Sequence, residues 1–553
     1  MKNTHKYKPY PVMQMPDRQW PSKQITKAPE WCSVDLRDGN QALEIPMNLD
    51  QKLSFFKKLV DMGFKTIEIG FPAASDTEFA FTRYLIEHDL IPDDVAIQVL
   101  TQSRQHIIEK TFEALKGVKK AVVHLYNSTS TLQRDVVFRM DREQCTNLAV
   151  FGARLLQDIA AKDTRGTDFT FEYSPESFTG TEMDYAVSIC DAVCDVWQPT
   201  PDKKVIINLP ATVEMSTPNI YADQIEYFCR HTRHRSAILV SLHPHNDRGT
   251  AVAATELGLL AGADRVEGTL FGNGERTGNA DLVALALNLY SQGIDPELDF
   301  SDINDLINVY ETSTRMQIHP RHPYAGDLVY TAFSGSHQDA INKGMAAMKN
   351  HPDHWEVPYL PLDPKDVGRS YDPIIRINSQ SGKGGVAYIL EQQYGLILPK
   401  PVQQAFSQIV TRVSDKRNSD LLPEEIHQLF FDSYVDIIKP IKLISYREAM
   451  VDDQHVEMSA TLQHHGRQVT VSGQGNGLLD AFCKALQEHL KARVEITAYQ
   501  QHALERGSTS KAITYVQMQN GGQNLYIGAG ISSSISKSSL RAVISAVNQM
   551  PLN

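Results

Sequence analysis

A short motif with two histidines, His243-Pro-His245, ends a predicted strand of this 553-residue chain. Side chains along a strand alternate between its two faces, so the two imidazoles project to the same side. Two imidazoles on one face, at the carboxyl end of a barrel strand, can share a divalent metal ion. Two unrelated histidines at a strand end would show the same spacing, so the metal interpretation depends on what other segments contribute.

A second charged motif, Asp35-Leu-Arg-Asp38, is predicted to close the first strand, over residues 33–37. Asp38 offers a hard carboxylate oxygen to a metal. Arg37 suits an anion or a developing oxyanion, because its guanidinium does not deprotonate. The structural alternative is an internal Arg37–Asp38 ion pair, which adjacent positions on opposite faces of a strand disfavour. Since charged groups seldom enter a barrel mouth without a partner or ligand, the motif favours a functional site.

Polar residues alternate in the same way at the ends of two further predicted strands. The two sets are Glu172, Ser174 and Glu176, and Asn208, Pro210 and Thr212. Together with the histidines they would converge on one mouth, which is how barrel enzymes build active sites. A mixed set of carboxylate, imidazole and amide donors suits a borderline or hard divalent ion, so Mg²⁺, Mn²⁺ and Zn²⁺ all stay open. Such a site invites a 2-oxo acid, whose ketone the ion would polarise.

A glycine-rich segment from Gly272 to Asn279 follows the eighth predicted strand and is predicted to open a helix. Its third glycine comes one residue late for the dinucleotide fingerprint, which excludes a Rossmann interpretation. A glycine turn at a helix N-terminus can still hold an anion, and Asn279 can offer an amide oxygen to the metal. Another glycine turn, at 381–385, lacks the Walker spacing, so a mobile loop is favoured there.

Eight β-rich runs alternate with amphipathic helical stretches between residues 31 and 288 and would position these groups. The predicted strands cover 33–37, 66–71, 96–101, 121–125, 169–173, 205–210, 238–243 and 265–270. Eight strand–helix units within roughly 260 residues are typical of a (β/α)8 TIM barrel. A doubly wound open sheet is the alternative, and the number eight and the polar strand ends favour the barrel.

The rest of the chain divides into two further regions. Residues 320–373 are rich in Pro, His and Gly, which predicts a loop-rich connection, and a helical stretch follows at 402–433. Beyond 437, two sets of three strand-like runs each lead to a Gly-x-Gly turn and a helix. The turns start at Gly473 and Gly528, which predicts a duplicated β-β-β-α unit. The expected domains are an arm (1–30), a barrel that carries the candidate catalytic residues (31–320), linker subdomains (321–436) and a C-terminal domain with the duplicated unit (437–553).

Composition excludes several classes of protein. The 54 basic and 66 acidic residues give a net charge of −12, which argues against a general nucleic-acid or anionic-membrane binder. No apolar run reaches the roughly 18 residues that span a bilayer, and the proline-rich N-terminus lacks the apolar region of a signal peptide. Six cysteines without disulfide-framework spacing favour free thiols in a reducing compartment, so we expect a cytoplasmic protein.

Nearly the whole chain resembles the alpha-isopropylmalate synthases, especially their longer form. The motifs are Asp35-Leu-Arg-Asp-Gly-Asn-Gln41, Glu68-Ile-Gly-Phe-Pro-Ala-Ala-Ser75, Phe171-Glu-Tyr-Ser-Pro-Glu176, Asn208-Leu-Pro-Ala-Thr-Val-Glu214, His243-Pro-His-Asn-Asp247, Gly272-Asn-Gly-Glu-Arg-Thr-Gly-Asn279, Ser334-Gly-Ser-His-Gln338, Gly473-Gln-Gly-Asn-Gly477 and Ser539-Leu-Arg-Ala-Val543. Asn40 stands where many shorter relatives carry Glu, which places this chain with the longer form.

The resemblance implies a metal-dependent Claisen condensation of acetyl-CoA with 3-methyl-2-oxobutanoate, which gives 2-isopropylmalate and CoA in leucine biosynthesis. The expected metal is Mg²⁺, with Mn²⁺ or Zn²⁺ as alternatives. The implied metal ligands are Asp38, His243, His245 and Asn279. The implied substrate-binding residues are His124, Ser174, Asn208, Pro210 and Thr212. The implied catalytic residues are Arg37, Glu176, His337 and Tyr371. The implied cofactor-binding residues are Gly272, Gly274 and Glu275.

The resemblance also assigns roles within this set. Arg37 would stabilise negative charge on the keto oxygen, and Thr212 would bind the keto-acid carboxylate. His337 is similar to the family's general base that enolises the acetyl methyl group, a task that imidazole suits at neutral pH. Because this base serves the barrel of the partner subunit in the family, a homodimer is implied. The duplicated tail resembles a leucine-binding regulatory domain, so we expect leucine to inhibit the distant barrel.

Three competing interpretations make different demands on the sequence. Homocitrate and citramalate synthases share the chemistry and differ in the keto-acid pocket, around Ser174, Asn208 and Pro210. A CoA-thioester lyase would share the barrel and the two histidines but would not need the duplicated tail. An inactive amino-acid sensor would have no reason to retain the charged and imidazole residues of the barrel mouth.

Overall fold

The computed structural model describes residues 4–6, 8–332, 334–349, 354–371, 383–417, 421–452, 454–504, 507, 510–522 and 524–551. The chain forms two compact units. The first comprises residues 1–330 and 362–370, and the second comprises residues 331–361 and 371–553.

Within residues 30–268, all of which the structure describes, eight parallel strands close into a barrel in chain order. The strands are β1 (Glu30–Ser33), β2 (Thr66–Gly70), β3 (Ala96–Gln102), β4 (Lys120–Ser128), β5 (Asp168–Glu176), β6 (Val205–Ala211), β7 (Ile238–Pro244) and β8 (Arg265–Gly268). Strand β1 pairs with both β2 and β8, whereas a doubly wound sheet would keep two open edges. The predicted TIM barrel is therefore confirmed.

Helices alternate with the strands of the first unit. They are α1 (Leu49–Asp61), α2 (Asp76–Glu87), α3 (Gln105–Ala114), α4 (Arg142–Ala160), α5 (Met183–Trp197), α6 (Pro218–His231), α7 (Ala251–Leu260), α8 (Leu282–Ser291) and α9 (Ile303–Thr314). Local sequence explains where several of them begin. Asn48 and Asp141 each exchange hydrogen bonds with a glutamine three residues later, which forms a capping box before α1 and α4.

The first predicted strand has the wrong boundaries. Strand β1 ends earlier, and Asp35–Gly39 form one π-helical turn. The N–H groups of residues 37–39 all donate to the carbonyl oxygen of Val34, at 2.9 to 3.2 Å. A helical turn does not alternate its side chains between two faces as a strand does, so Arg37 and Asp38 do pair, with Nη1 3.2 Å from Oδ1. The expectation that strand geometry would disfavour this pair is therefore wrong.

The N-terminal arm is tied to α6 by two buried carboxylates. The Nε and Nη2 atoms of Arg18 donate to the two carboxylate oxygens of Asp223, at 2.8 and 2.7 Å. The indole N–H of Trp20 donates to the same carboxylate, and the N–H of Gln19 donates to Glu226. Charge-assisted hydrogen bonds of this kind hold the arm against α6, although the arm pairs with no strand of the described barrel.

The second unit contains helices followed by two small sheets. The helices before the sheets are α10 (Gly335–Met348), α11 (Lys383–Tyr394), α12 (Lys400–Arg417) and α13 (Pro423–Tyr434). Of the predicted glycine turn at 381–385, Ser381 and Gly382 lie outside the described residues. None of the helices in the described part of the chain has the length and hydropathy that a membrane span requires.

The duplicated β-β-β-α unit is present. Its first copy is β9 (Ile441–Met450), β10 (Val456–His464), β11 (Arg467–Gly475) and α14 (Leu478–Leu490). Its second copy is β12 (Glu495–Ala503), β13 (Ala512–Gln519), β14 (Tyr526–Ser532) and α15 (Ile535–Val547). Each copy forms a three-stranded antiparallel sheet with the middle strand of the sequence at its centre. The prediction of two repeated units is confirmed.

The two Gly-x-Gly segments are not turns, as the sequence suggested, but lie within the third strand of each sheet. A Cβ atom on Gly473 would lie 2.3 Å from the carbonyl oxygen of Ala481 in α14. A Cβ atom on Gly528 would lie 2.2 Å from the carbonyl oxygen of Ala542 in α15. The glycines therefore let each helix pack directly on the backbone of the strand that precedes it.

The two sheets differ in what covers them. In the second sheet, Ile513 and Tyr515 of β13 are buried in an apolar cluster with residues of α11, α12 and α13. In β11 of the first sheet, Thr470 and Ser472 are exposed while Val471 between them is buried. The helices before residue 436 thus share an apolar core with the second copy of the repeat.

Gly528→Ala should destabilise the second unit, because the new methyl group would lie 2.2 Å from the Ala542 carbonyl oxygen and 2.3 Å from the Ala546 nitrogen. We expect the free energy of unfolding to fall by about 1–3 kcal/mol, the usual cost of overpacking. Urea unfolding of the full chain measures it. Gly477→Ala is the matched control, since its Cβ would meet nothing within 4 Å. Equal midpoints for the two variants would contradict the close packing of α15.

Candidate active site

The carboxyl ends of the barrel strands surround a cavity of about 280 Å³. It is lined by most of the residues that the sequence predicted for the first unit: Arg37, Asp38, His124, Ser174, Glu176, Asn208, Pro210, Thr212, His243, His245 and Glu275. Lining residues that were not predicted are Gln41, Leu100, Tyr126 and Arg276. The barrel therefore brings together side chains from segments more than 200 residues apart.

Three side chains at one end of this cavity could hold a metal. One ligand atom each from Asp38, His243 and His245 lie within 4.8 Å of one another, and all three residues are buried. The Nε2 atoms of His243 and His245 lie 3.2 and 3.7 Å from Oδ2 of Asp38. Asn279 joins this group through its backbone, which pairs with that of His245.

Buried polar atoms that lack a hydrogen-bond partner indicate whether Asp38, His243, His245 and Asn279 suit a cation. Among the described residues, Oδ1 of Asn279 and Nδ1 of His245 are buried without a hydrogen-bond partner. Leaving such atoms unpaired costs free energy unless a ligand or ion pairs with them. A carboxylate, two imidazoles and an amide oxygen are also donors that divalent cations accept. The residues present therefore fit a divalent metal ion.

The electrostatics of this group favour positive charge. Burial opposes ionisation of Asp38, yet Arg37 and the two histidines hold its pKa well below the ordinary range. Burial likewise opposes protonation of His243, but Asp38 and Glu267 raise its pKa to about 9. Burial and the charge on His243 lower the pKa of His245 to about 4. The ionised Asp38 thus attracts a cation, either a proton on His243 or a metal ion.

Arg37 is held at the cavity by two carboxylates. Its Nε donates to Oε1 of Glu68 on β2, and its Nη1 lies 3.2 Å from Oδ1 of Asp38. Burial alone would lower the pKa of Arg37, but attraction to these carboxylates raises it further above its already high value. The guanidinium is therefore a permanent positive charge beside the candidate metal ligands Asp38, His243 and His245, where it can stabilise an oxyanion.

The wall formed by His124, Ser174 and Asn208 pairs most of its polar groups, and Oδ1 of Asn208 is the wall atom that is buried without a hydrogen-bond partner among the described residues. Oε2 of Glu68 lies 2.9 Å from Nδ1 of His124, which makes Nδ1 the donor and leaves Nε2 as the acceptor. The hydroxyl of Ser174 donates to Nε2 at 2.7 Å and accepts from Nδ2 of Asn208 at 3.0 Å. Since these groups pair with one another, the wall suits an apolar substituent better than a charged one.

Thr212 has a hydroxyl hydrogen that meets no acceptor among the described residues. Its Oγ1 accepts from the N–H of Ser177 at 2.9 Å, so its own hydrogen is available to an anion in the cavity. Ser177 adopts a left-handed conformation, with φ 61° and ψ 42°, immediately after β5. Glu176, the last residue of β5, accepts from the hydroxyl of Ser128. The turn after β5 therefore positions Thr212, and Ser128 at the end of β4 positions Glu176.

The glycine-rich segment forms a loop around Asn279. A Cβ atom on Gly274 would lie 2.2 Å from Nδ2 of Asn279, so this position needs glycine for the amide to fit. The prediction that the segment opens a helix is wrong at its boundary, because α8 begins only at residue 282. The N-terminus of α8 is capped by Asp281, whose carboxylate accepts from two backbone N–H groups. That helix end therefore already holds an anion of its own.

Two predicted catalytic residues belong to the second unit. His337 is exposed in the first turn of α10 and stacks on Tyr359, with ring centroids 4.1 Å apart and an interplanar angle of 26°. Tyr371 is the last described residue before residue 383. Their assigned roles stay predictions, as do those of Gly272, Gly274 and Glu275.

The chain is similar to known proteins over its whole length. Family models match an HMGL-like domain at 28–309, an alpha-isopropylmalate synthase post-catalytic domain-like region at 327–391 and a LeuA allosteric (dimerisation) domain at 420–551. The 2-isopropylmalate synthase of Acetoanaerobium sticklandii is 63% identical and covers 100% of this chain and 97% of its own. That of Desulfitobacterium hafniense is 55% identical and covers 100% and 99%.

The chain belongs to the 2-isopropylmalate synthase family. The resemblance that the sequence motifs indicated is thereby confirmed, as is the expectation that the chain is an enzyme. Among solved structures, the hydroxymethylglutaryl-CoA lyase of Pseudomonas aeruginosa is similar at 16% identity, with a TM-score of 0.44, and covers 53% of this chain and 95% of that one.

Beneath the cavity of this synthase-family chain lies a buried polar layer that was not predicted from the sequence. Its members are Glu68, Gln98, Arg265 and Glu267, together with Glu172, which was expected at the barrel mouth but does not line the cavity. A signal was present, because Arg265 and Glu267 alternate within a strand of a barrel and must share a face. Charged residues in the middle of a buried strand seldom occur without a partner, so they mark a network.

His243→Ala should weaken binding of a divalent metal at least about 10-fold, because it removes one ligand of the group. Calorimetric titration with Mn²⁺ measures the affinity, and thermal unfolding checks that the fold persists. His106→Ala is the control, since His106 is exposed on α3 and outside the cavity. If both variants bind Mn²⁺ as the unmodified protein does, the metal assignment is wrong.

Proposed function

We propose that this chain catalyses the metal-dependent Claisen condensation of acetyl-CoA with 3-methyl-2-oxobutanoate, giving (2S)-2-isopropylmalate and CoA. The observation that carries the proposal is the cavity, which combines a cation site, a permanent guanidinium charge and a wall suited to an apolar substituent. The names of the full-length relatives support the same reaction.

The metal site would consist of Asp38, His243, His245 and Asn279, and we assign Mg²⁺ to it in preference to Mn²⁺ or Zn²⁺. The choice rests on the two oxygen donors, which suit a hard cation. A divalent cation held there would polarise the ketone of a chelated 2-oxo acid.

The remaining cavity residues bind and orient the 2-oxo acid in this proposal. Thr212 donates its free hydroxyl hydrogen to the carboxylate, and Arg37 faces the negative charge that develops on the keto oxygen. The isopropyl group lies against His124, Ser174, Asn208 and Pro210. Glu176 orders the site from the end of β5. Each of these groups is held by neighbours before substrate arrives, so little reorganisation is needed.

Enolisation of the acetyl methyl group is assigned to His337, with Tyr371 beside it, both supplied by a partner chain. Imidazole suits this transfer at neutral pH, although the weakly acidic methyl group needs its enolate stabilised. Gly272, Gly274 and Glu275 are assigned to the acetyl-CoA side of the site. The match to a LeuA allosteric (dimerisation) domain supports a homodimer.

Leucine would bind the duplicated domain at 437–553 and inhibit the barrel, in a cytoplasmic biosynthetic enzyme. The match to an allosteric domain supports this regulation. A test by deleting residues beyond 440 would be compromised, because α11, α12 and α13 share an apolar core with the second sheet. Regulation is therefore best tested on the full chain.

A panel of 2-oxo acids with acetyl-CoA tests the reaction through release of free CoA thiol. We expect 3-methyl-2-oxobutanoate to give the highest kcat/KM, because its branched apolar group matches the self-paired wall. We also expect leucine to lower the rate with the full chain. A preference for 2-oxoglutarate or pyruvate would instead assign the chain to homocitrate or citramalate synthesis.

Thr212→Val should raise the KM for the 2-oxo acid about 10-fold or more, with a smaller effect on kcat. A hydrogen bond to a charged group contributes about 1.5–3 kcal/mol, which corresponds to that range. Steady-state kinetics with the 2-oxo acid varied gives both constants. Thr77→Val, at an exposed position in α2, controls for the substitution itself. An unchanged KM would remove Thr212 from the carboxylate site.

A further inference from the structure

Glu267 lies beneath the metal-ligand group, in the middle of the barrel, and is fully buried. Its Oε2 accepts from Nδ1 of His243 at 2.8 Å and from Nδ2 of Asn208 at 3.2 Å. Its Oε1 accepts from Nη1 of Arg265 at 2.9 Å and from Nε2 of Gln98 at 2.8 Å. One carboxylate thus contacts a metal ligand, a keto-acid pocket residue and two supporting donors.

The two supporting donors fix how Glu267 is oriented. Arg265 is buried and compensates the charge of the carboxylate, and its Nη2 donates to Oε1 of Gln98 at 2.7 Å. That bond holds the amide of Gln98 with its NH₂ group towards Glu267. Oε1 therefore always faces two donors, and only Oε2 is directed to His243 and Asn208.

We propose that Glu267 is a positioning residue that fixes the His243 tautomer and links the metal site to the keto-acid pocket. By accepting from Nδ1, it keeps the hydrogen of a neutral His243 on that atom. The Nε2 lone pair then faces Asp38 and the cation site. Metal-binding histidines commonly need such a partner to set ring orientation and tautomer. The inference rests on the proposed metal site, but metal binding alone tests it.

Glu267→Gln makes a sharp test, because the new side chain has the same shape. Its oxygen must face Arg265 and Gln98, since an NH₂ group there would meet two donors. The NH₂ group then points at Nδ1 of His243 and Nδ2 of Asn208. His243 must accept at Nδ1, which moves its hydrogen to Nε2 and blocks the ligand atom. Asn208 loses its second acceptor at the same time.

Calorimetric titration of Mn²⁺ into the full chain is the experiment. For Glu267→Gln we expect metal affinity to fall about 10- to 100-fold, the usual effect of losing such a partner. We also expect the KM for the 2-oxo acid to rise, through Asn208. The thermal midpoint of the variant shows whether it is folded under the titration conditions.

Glu172→Gln is the matched control. Glu172 is equally buried in the same layer, near Arg265 and His124, but it makes no contact with His243 in the described structure. Burial and the charge of Glu267 raise its pKa well above the ordinary range. We expect this variant to bind Mn²⁺ as tightly as the unmodified protein.

The outcomes separate this inference from the proposed function. If the unmodified protein fails to bind Mn²⁺, the metal site and the role of Glu267 both fall. If it binds and both variants bind equally well, only the role of Glu267 falls. If Glu267→Gln does not fold, nitrogen-15 spectra of the unmodified, histidine-labelled protein with Mg²⁺ show which ring nitrogen of His243 carries the hydrogen. A hydrogen on Nδ1 of His243 supports the inference, and one on Nε2 overturns it.

Discussion

The polar interior of the barrel depends on the hydrogen bonds that the buried carboxylate of Glu267 accepts. An unpaired charge in such a place costs several kcal/mol or more, so its four donors are a requirement for folding as well as for function. Arg265 neutralises it, and Gln98 connects it to Glu68 through a hydrogen bond of 2.6 Å. Breaking the contact with His243 would leave its buried Nδ1 hydrogen without its acceptor.

The same layer positions three parts of the site above it. Glu267 holds His243 and Asn208, while Glu68 holds Arg37 and His124. The cation site, the guanidinium and the apolar-facing wall therefore sit on one shared set of hydrogen bonds. Groups that are fixed before the substrate binds stabilise developing charge without a cost of reorganisation. A substitution of Glu267 is therefore expected to act on metal binding and on substrate binding together.

The second unit shows how one repeated fold can serve two environments. Both copies use a glycine-containing strand to bring a helix onto the sheet. Among the described residues, it is the second copy that buries an apolar face, with Ile513 and Tyr515, against the preceding helices. The first copy exposes polar residues such as Thr470 on β11. The two halves thus share one fold, and the side chains on one face determine what each half packs against.

Periodicity along the chain was enough to predict the barrel, the duplicated domain and the shared orientation of His243 and His245. Each of these features rests on local spacing of residues. Periodicity was not enough for the turn at Asp35–Gly39, where hydrogen bonds to one carbonyl override strand geometry. Nor could it assign Glu267, which meets Gln98 across 169 residues of sequence. Such contacts exist only because barrel closure brings distant strands together, and a buried charge is stable only where closure supplies its partners.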